Sequence, residues 1–148
     1  MRAYGFATLA AATLLLAGCS VQPGELKVVD MVVRLNANPK APSVAYFTIK
    51  GGPTDDRLMS VISPVVIRTE LHESMKTGGM MSMKPLDGGV AIAAKGEVKF
   101  EPGGKHVMLF NLNPVVKPRT TMAMIFTFAS GTQLQAQVPV RAAGDPLP

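Results

Sequence analysis

The sequence predicts an all-β fold, a single antiparallel sandwich or Greek-key barrel of roughly eight short strands. Three observations carry that expectation. Apolar residues recur at every second position through much of the chain beyond residue 27. Clusters of Gly, Pro, Asn and Asp interrupt them at short intervals. Past the N-terminal run, no stretch sustains an apolar period of 3.6 residues over three turns.

The elements follow in order. In VVDMVVRL, Val29, Met31, Val33 and Leu35 share one face, with Asp30 and Arg34 on the other. NANPKAP ends that strand, VAYFTIK supplies a β-branched and aromatic one, and GGPTDD is a dense turn. RLMSVIS and VVIRTELH are strands parted at Pro64. In the second, Val65, Ile67, Thr69 and Leu71 should face the core, leaving Val66, Arg68, Glu70 and His72 outward. LHESMKTGGMMSM reads as an exposed loop beyond the end of that strand. PLDGGVAI carries an Asp-Gly-Gly hairpin signal. EVKF and HVMLF flank the turn EPGG, and TTMAMIFTF and TQLQAQVPV flank ASG. The last strand alternates plainly, Leu134, Ala136, Val138 and Val140 against Gln133, Gln135 and Gln137. Met31, Met59, Met122 and Met124 sit in strand patterns and are expected in the core.

The N-terminus has a different character. Met1 and Arg2 precede an apolar run of about 15 residues, too short for a membrane-spanning helix and laid out as a secretory signal. It ends in LAGC (Leu16 to Cys19), which resembles the bacterial lipobox, whose cysteine is acylated and becomes the new N-terminus. Cys19 is therefore the expected lipidation site and the protein's membrane anchor. Ser20 behind it points to the outer membrane, with the domain in the periplasm. The expected organisation is a signal peptide over residues 1–18, the lipidated Cys and a tether over 19–26, one sandwich domain over 27–140, and a flexible tail over 141–148.

Composition removes several function classes. Cys19 is the sole cysteine, so the mature domain has no thiol for a disulfide, a redox couple or a metal thiolate. The net charge of +5 comes without a basic cluster interleaved with aromatics, so nucleic acid is not an expected partner. No Gly-x-Ser-x-Gly elbow, phosphate-binding glycine loop or His-Glu-x-x-His stands in the chain, and no enzyme is expected. Glu70 and Glu73 flank His72, where a solvated surface charge is the ordinary reading.

Both histidines keep methionine company. His72 precedes Met75, Met80, Met81 and Met83, and His106 stands two residues before Met108. Side chains at i and i+2 of a strand lie about 7 Å apart on one face, so His106 and Met108 can converge on one ion. Thioethers are soft, neutral donors that favour Cu(I) over Zn(II), need no deprotonation and cannot be lost to a disulfide. A blue-copper carrier is excluded, because its thiolate ligand is missing. The two clusters therefore suggest one soft-metal site. The rival reading is a metal-free lipoprotein that grips an apolar protein partner with an exposed methionine-rich loop.

The spacing His72, ten residues, Met83, then His106-x-Met108 resembles the motif of the periplasmic copper chaperone family PCu(A)C. VAYFTIKGG, DDRLMSVISPV, ELHESM, MKPLDGG and EPGGKHVMLFNLN look like other segments of that family, so the resemblance spans about residues 27 to 140. It implies a cupredoxin-like β-sandwich binding one Cu(I) through His72, Met83, His106 and Met108. Met81 and Met75 stand as auxiliary candidates, and Cu(II) would bind more weakly through a rearranged site. It also implies a copper-accepting protein as partner, either a cytochrome oxidase subunit or another periplasmic copper chaperone. The sequence departs from the motif in one place: residues 84–105 number 22, where the family has one fewer, and the extra residue is expected in Asp87-Gly88-Gly89.

Overall fold

The computed structural model describes residues 24–147, so the expected signal peptide, Cys19 and most of the tether lie outside the described residues. Ten strands form and no helix accompanies them among those residues. They are β1 (Lys27–Arg34), β2 (Ser43–Lys50), β3 (Asp56–Ile62), β4 (Val66–Thr77), β5 (Met80–Pro85), β6 (Val90–Ile92), β7 (Glu97–Phe100), β8 (Lys105–Leu112), β9 (Thr121–Phe128) and β10 (Gln133–Arg141). They bond in the order β5-β4-β8-β7-β2-β1-β10-β9-β3-β6, with β8 also lying on β2. Most pairings are antiparallel. The exceptions are two short parallel contacts, β1 on β10 and β7 on β8.

The sheet closes over itself around aromatic side chains. Phe47 of β2 stacks on Phe100 of β7 with centroids 4.3 Å apart, and meets the ring of Phe126 on β9 edge-on at 5.0 Å. Phe47 and Phe126 come from distant parts of the strand order, so their contact joins the two halves of a sandwich. Ile49, Leu58, Val107, Leu109, Met124, Phe128 and Val140 complete the buried layer.

Local departures from simple alternation have identifiable causes. In β1, Asp30 adopts φ 52° and the register against β2 shifts between Val29 and Val32. This bulge buries the adjacent Val32 and Val33 together, where strict alternation would have exposed one. Ile67 was expected inward but is 80% exposed. It lies at the rim where the chain crosses from β3 to β4, and Ile62 across that turn is exposed as well. On the same strand Leu71 does reach the core, and Thr69 donates its hydroxyl to the Val61 carbonyl. Met122 and Met124 are buried as expected, whereas Met59 faces solvent.

Two turn signals connect strands that do not form hairpins with each other. Leu86-Asp87-Gly88-Gly89 links β5 to β6, which occupy opposite edges of the sheet. Gly89 has φ +73°, and an added Cβ would stand 2.3 Å from the Leu58 carbonyl oxygen, so the crossover needs glycine there. EPGG joins β7 and β8, which both line the same side of β2 and touch only at Phe100 and Lys105. The C-terminal segment, expected to fray, is tied at its start: Arg34 donates from Nε to the Ala143 carbonyl at 2.8 Å, and Asp145 accepts from the Ala142 N–H at 3.0 Å.

The aromatic contacts predict a large difference between two substitutions. Phe126→Ala should lower unfolding free energy by about 3–5 kcal/mol, through lost burial and an unfilled cavity. Ile67→Ala should change it by no more than about 0.5 kcal/mol, since the side chain is already in water. Urea denaturation followed by circular dichroism measures both, and comparable losses would contradict the burial assigned to these residues.

Candidate metal centre

β4 does not stop at His72 but runs on to Thr77 and turns into β5. The two-residue turn Gly78-Gly79 has φ of +58° and +83°, the positive values a tight hairpin demands of both central residues. The segment expected as a loop is therefore a β-hairpin. A Gly-Gly pair between period-two residues was the available signal for it.

Register decides which side chains meet. Residues directly opposite on antiparallel strands project from the same face. On β8, His106 lies opposite His72, Met108 opposite Glu70, and Phe110 opposite Arg68. On β5, Met83 lies opposite Ser74 and Met81 opposite Lys76. All of these stand on the outer face, because Leu71, Val107 and Leu109 of the alternate set point to the core. His72 is the hub. His106 is its direct cross-strand partner, while Met108 and Met83 are its diagonal neighbours on either side, separations of about 7–8 Å that long side chains span. Met81 is one step farther along the hairpin on that face. Met75, opposite Ser82, and Met80, opposite Thr77, project from the other face.

The group is graded in exposure. His106 is 5% exposed and the His72 side chain 14%, Met108 is partly buried, and Met83 and Met81 are exposed by 61% and 62%. The two imidazole centroids are 6.0 Å apart, their planes tilted by 44°. One residue along, Lys105 donates to Glu73 at 2.7 Å and clips β8 to β4 beside the histidine pair.

Hydrogen bonds engage one nitrogen of each ring. His106 Nδ1 lies 3.0 Å from the Gly104 carbonyl oxygen, which can only accept, so Nδ1 donates and Nε2 keeps its lone pair. His72 Nε2 lies 2.9 Å from Glu70 Oε2, and its Nδ1 is buried without a partner. Histidines that ligate metals characteristically tie their second nitrogen to a carboxylate or backbone carbonyl in this way. Glu70 was read from sequence as a solvated charge. Here it is bound on both oxygens, to His72 and to Arg68, whose guanidinium lies 4.1 Å over the Phe110 ring. Among the described residues no group of three His, Cys, Asp or Glu side chains is placed to hold a metal.

Comparison with known proteins agrees with the fold. Residues 26–140 match the family model described as "Putative lipoprotein LpqE-like". A relative from Leifsonia xyli subsp. xyli, "Putative lipoprotein Lxx21020", is 27% identical over 146 residues, covering 90% of this chain and 87% of its own. Among solved structures, the copper-bound PCuAC domain from PmoF2 superposes with a TM-score of 0.66 at 18% identity, over 80% of this chain and 94% of that domain. The Cu(I) form of DR1885 from Deinococcus radiodurans does so with a TM-score of 0.61 at 22% identity, over 84% and 83%. At such identities the structural likeness establishes shared architecture. The chain belongs to the LpqE-like family and has the all-β fold of PCuAC domains, the family its own motif resembles.

Proposed function

We propose that the protein is a lipid-anchored, extracytoplasmic metallochaperone that binds one Cu(I) through His72, Met83, His106 and Met108 and passes it to a protein acceptor. The observation that carries this reading is the His72–His106 cross-strand pair, flanked on one face by Met108 and Met83, with each ring held by one nitrogen and keeping the other for a ligand. Solved structures of the same fold include the copper-bound PCuAC domain from PmoF2 and the Cu(I) form of DR1885, which supports the choice of cargo. The donor set supports Cu(I) on chemical grounds, since two thioethers and two imidazoles suit a soft monovalent ion better than Zn(II). The exposure gradient supports transfer: an acceptor can displace the exposed Met83 first, while buried ligands still hold the ion. The acceptor is proposed to be a copper centre of cytochrome oxidase or a second chaperone serving it.

A second reading remains attached to one observation. Met75, Met80, Met81 and Met83 are 44–75% exposed on the hairpin, which suits an apolar protein partner as well. Anaerobic titration with Cu(I) against a competing chelator separates the two. One tight Cu(I) per chain is expected, with Cu(II) weaker and Zn(II) weaker still. Affinity should fall in acid, since protons compete for the imidazoles alone. Tight Zn(II) binding with no preference for Cu(I) would overturn the proposal.

The register generates a graded mutational series. Met83→Leu, His106→Ala and Met108→Leu should each weaken Cu(I) binding by roughly tenfold or more, about 1.4 kcal/mol. Met75→Leu and Met80→Leu, on the opposite face, should leave it nearly unchanged. Met81→Leu should matter mainly in the Met83→Leu background, where the neighbouring thioether is the substitute. Equal losses from all four hairpin methionines would mean a fluid cluster instead of a register-defined site.

Anchoring is tested at Cys19. Cys19→Ser should move the protein from the membrane fraction to the soluble fraction, because each buried lipid CH₂ contributes about 0.8 kcal/mol. Density-gradient separation of membranes from wild-type cells tests the outer-membrane sorting that Ser20 suggests. Membrane association unchanged by the substitution would remove the lipid anchor.

A further inference from the structure

We infer that Glu70 is a positioning residue for His72: it holds the Nε2 proton of that ring, so that His72 meets the ion through Nδ1 while His106 meets it through Nε2. This assignment rests on the Cu(I) reading above and adds to it which atoms coordinate and what aims them.

Arg68, Glu70 and His72 are consecutive outward positions of β4, and each faces a partner on β8, namely Phe110, Met108 and His106. The outward side chains form a continuous brace. Arg68 lies 4.1 Å over the Phe110 ring and donates to Glu70 Oε1, and Glu70 Oε2 lies 2.9 Å from His72 Nε2. An ionised carboxylate has lone pairs only, so the hydrogen in that last bond belongs to Nε2. The lone pair of the neutral ring is then on Nδ1, the atom that is buried and has no hydrogen-bond partner. An unpaired buried acceptor is unfavourable, and an ion at that position would satisfy it. With Glu70 bound on both oxygens, its carboxylate serves the ring, not the soft ion.

His106 reaches the complementary state by different means. Its Nδ1 donates to the carbonyl of Gly104 in the turn just before β8, leaving Nε2 as the ligand atom. One ring is thus aimed by backbone, the other by a side chain that can be replaced without touching either ligand or the core.

The test uses ring-nitrogen NMR of the full-length protein in alkaline buffer, metal-free and then loaded with Cu(I), which is diamagnetic. With only two histidines, both rings can be followed. In the metal-free protein a slowly exchanging proton on His72 Nε2 is expected. It should disappear in Glu70→Ala and return in Glu70→Gln, whose amide oxygen still accepts. On loading, the nitrogen resonances that move should be His72 Nδ1 and His106 Nε2, with the His72 Nε2 proton retained. Glu70→Ala should weaken Cu(I) binding by about 10- to 100-fold, the usual effect of losing such a partner, and Glu70→Gln should recover most of that loss. Coordination through His72 Nε2, or a ring proton unaffected by Glu70→Ala, would overturn the inference while leaving Cu(I) binding intact. Wild-type protein that shows the protected ring proton yet binds no Cu(I) would overturn the chaperone reading instead.

Discussion

The antiparallel register of β4 on β8 is the constraint on which the rest of the molecule depends. Side chains alternate with period two, so a slip of one residue would drive His72 toward the core and turn Leu71 out to water. Leu71, Val107 and Leu109 oppose that slip, since burying a side chain of this size stabilises by about 1.5–3 kcal/mol. The ion pair of Glu73 with Lys105 adds a matched charge at one register only. Apolar packing on the inner face thus fixes polar geometry on the outer one, and the histidine pair inherits its alignment from side chains that point the other way.

The two sides of the outer cluster are held with unequal firmness. β4 and β8 lie within the sheet with neighbours on both sides, whereas β5 forms its edge and every one of its residues is exposed. Edge strands attract unwanted pairing partners, and Lys84 and Pro85 are the kinds of residue that blunt them, by charge and by a missing N–H. Such strands also open most readily. In the proposed function this asymmetry has a use: the ligands on the firm side keep the ion aimed, and the thioether on the loose side exchanges.

Much of this was legible in the sequence. β9 and β10 alternate cleanly because each has one face in the core, and His106-x-Met108 could be put on one face of β8 from spacing alone. What escaped was non-local. Whether the strands flanking Asp87-Gly88-Gly89 pair with each other is decided by which sheet edges remain free, and no local turn signal carries that information. The bulge at Asp30 and the exposure of Ile67 likewise depend on where the facing layer ends. Glu70 was overlooked because carboxylates near a histidine are common, and only the register against Met108 and the brace through Arg68 distinguish this one. By contrast, the hairpin at Gly78-Gly79 had a clear local signal, and reading it as a loop underrated two residues with positive φ.

Core and cluster occupy opposite faces of the same strands, and this bears on what a carrier must do. In small metal-dependent domains the ion's binding energy is folding energy, so the empty form does not persist. Here the stacked Phe47 and Phe100, the edge-on Phe126 and the aliphatic layer around them lie on the inner face and need no ion to pack. The unpartnered His72 Nδ1 costs about 1–3 kcal/mol. Set against a typical domain stability of about 5–15 kcal/mol, that penalty is tolerable. Under the proposed function a bound ion would relieve it. Under the proposed function, a sheet packed on one face and bearing its ligands on the other could load and unload an ion without passing through an unfolded state.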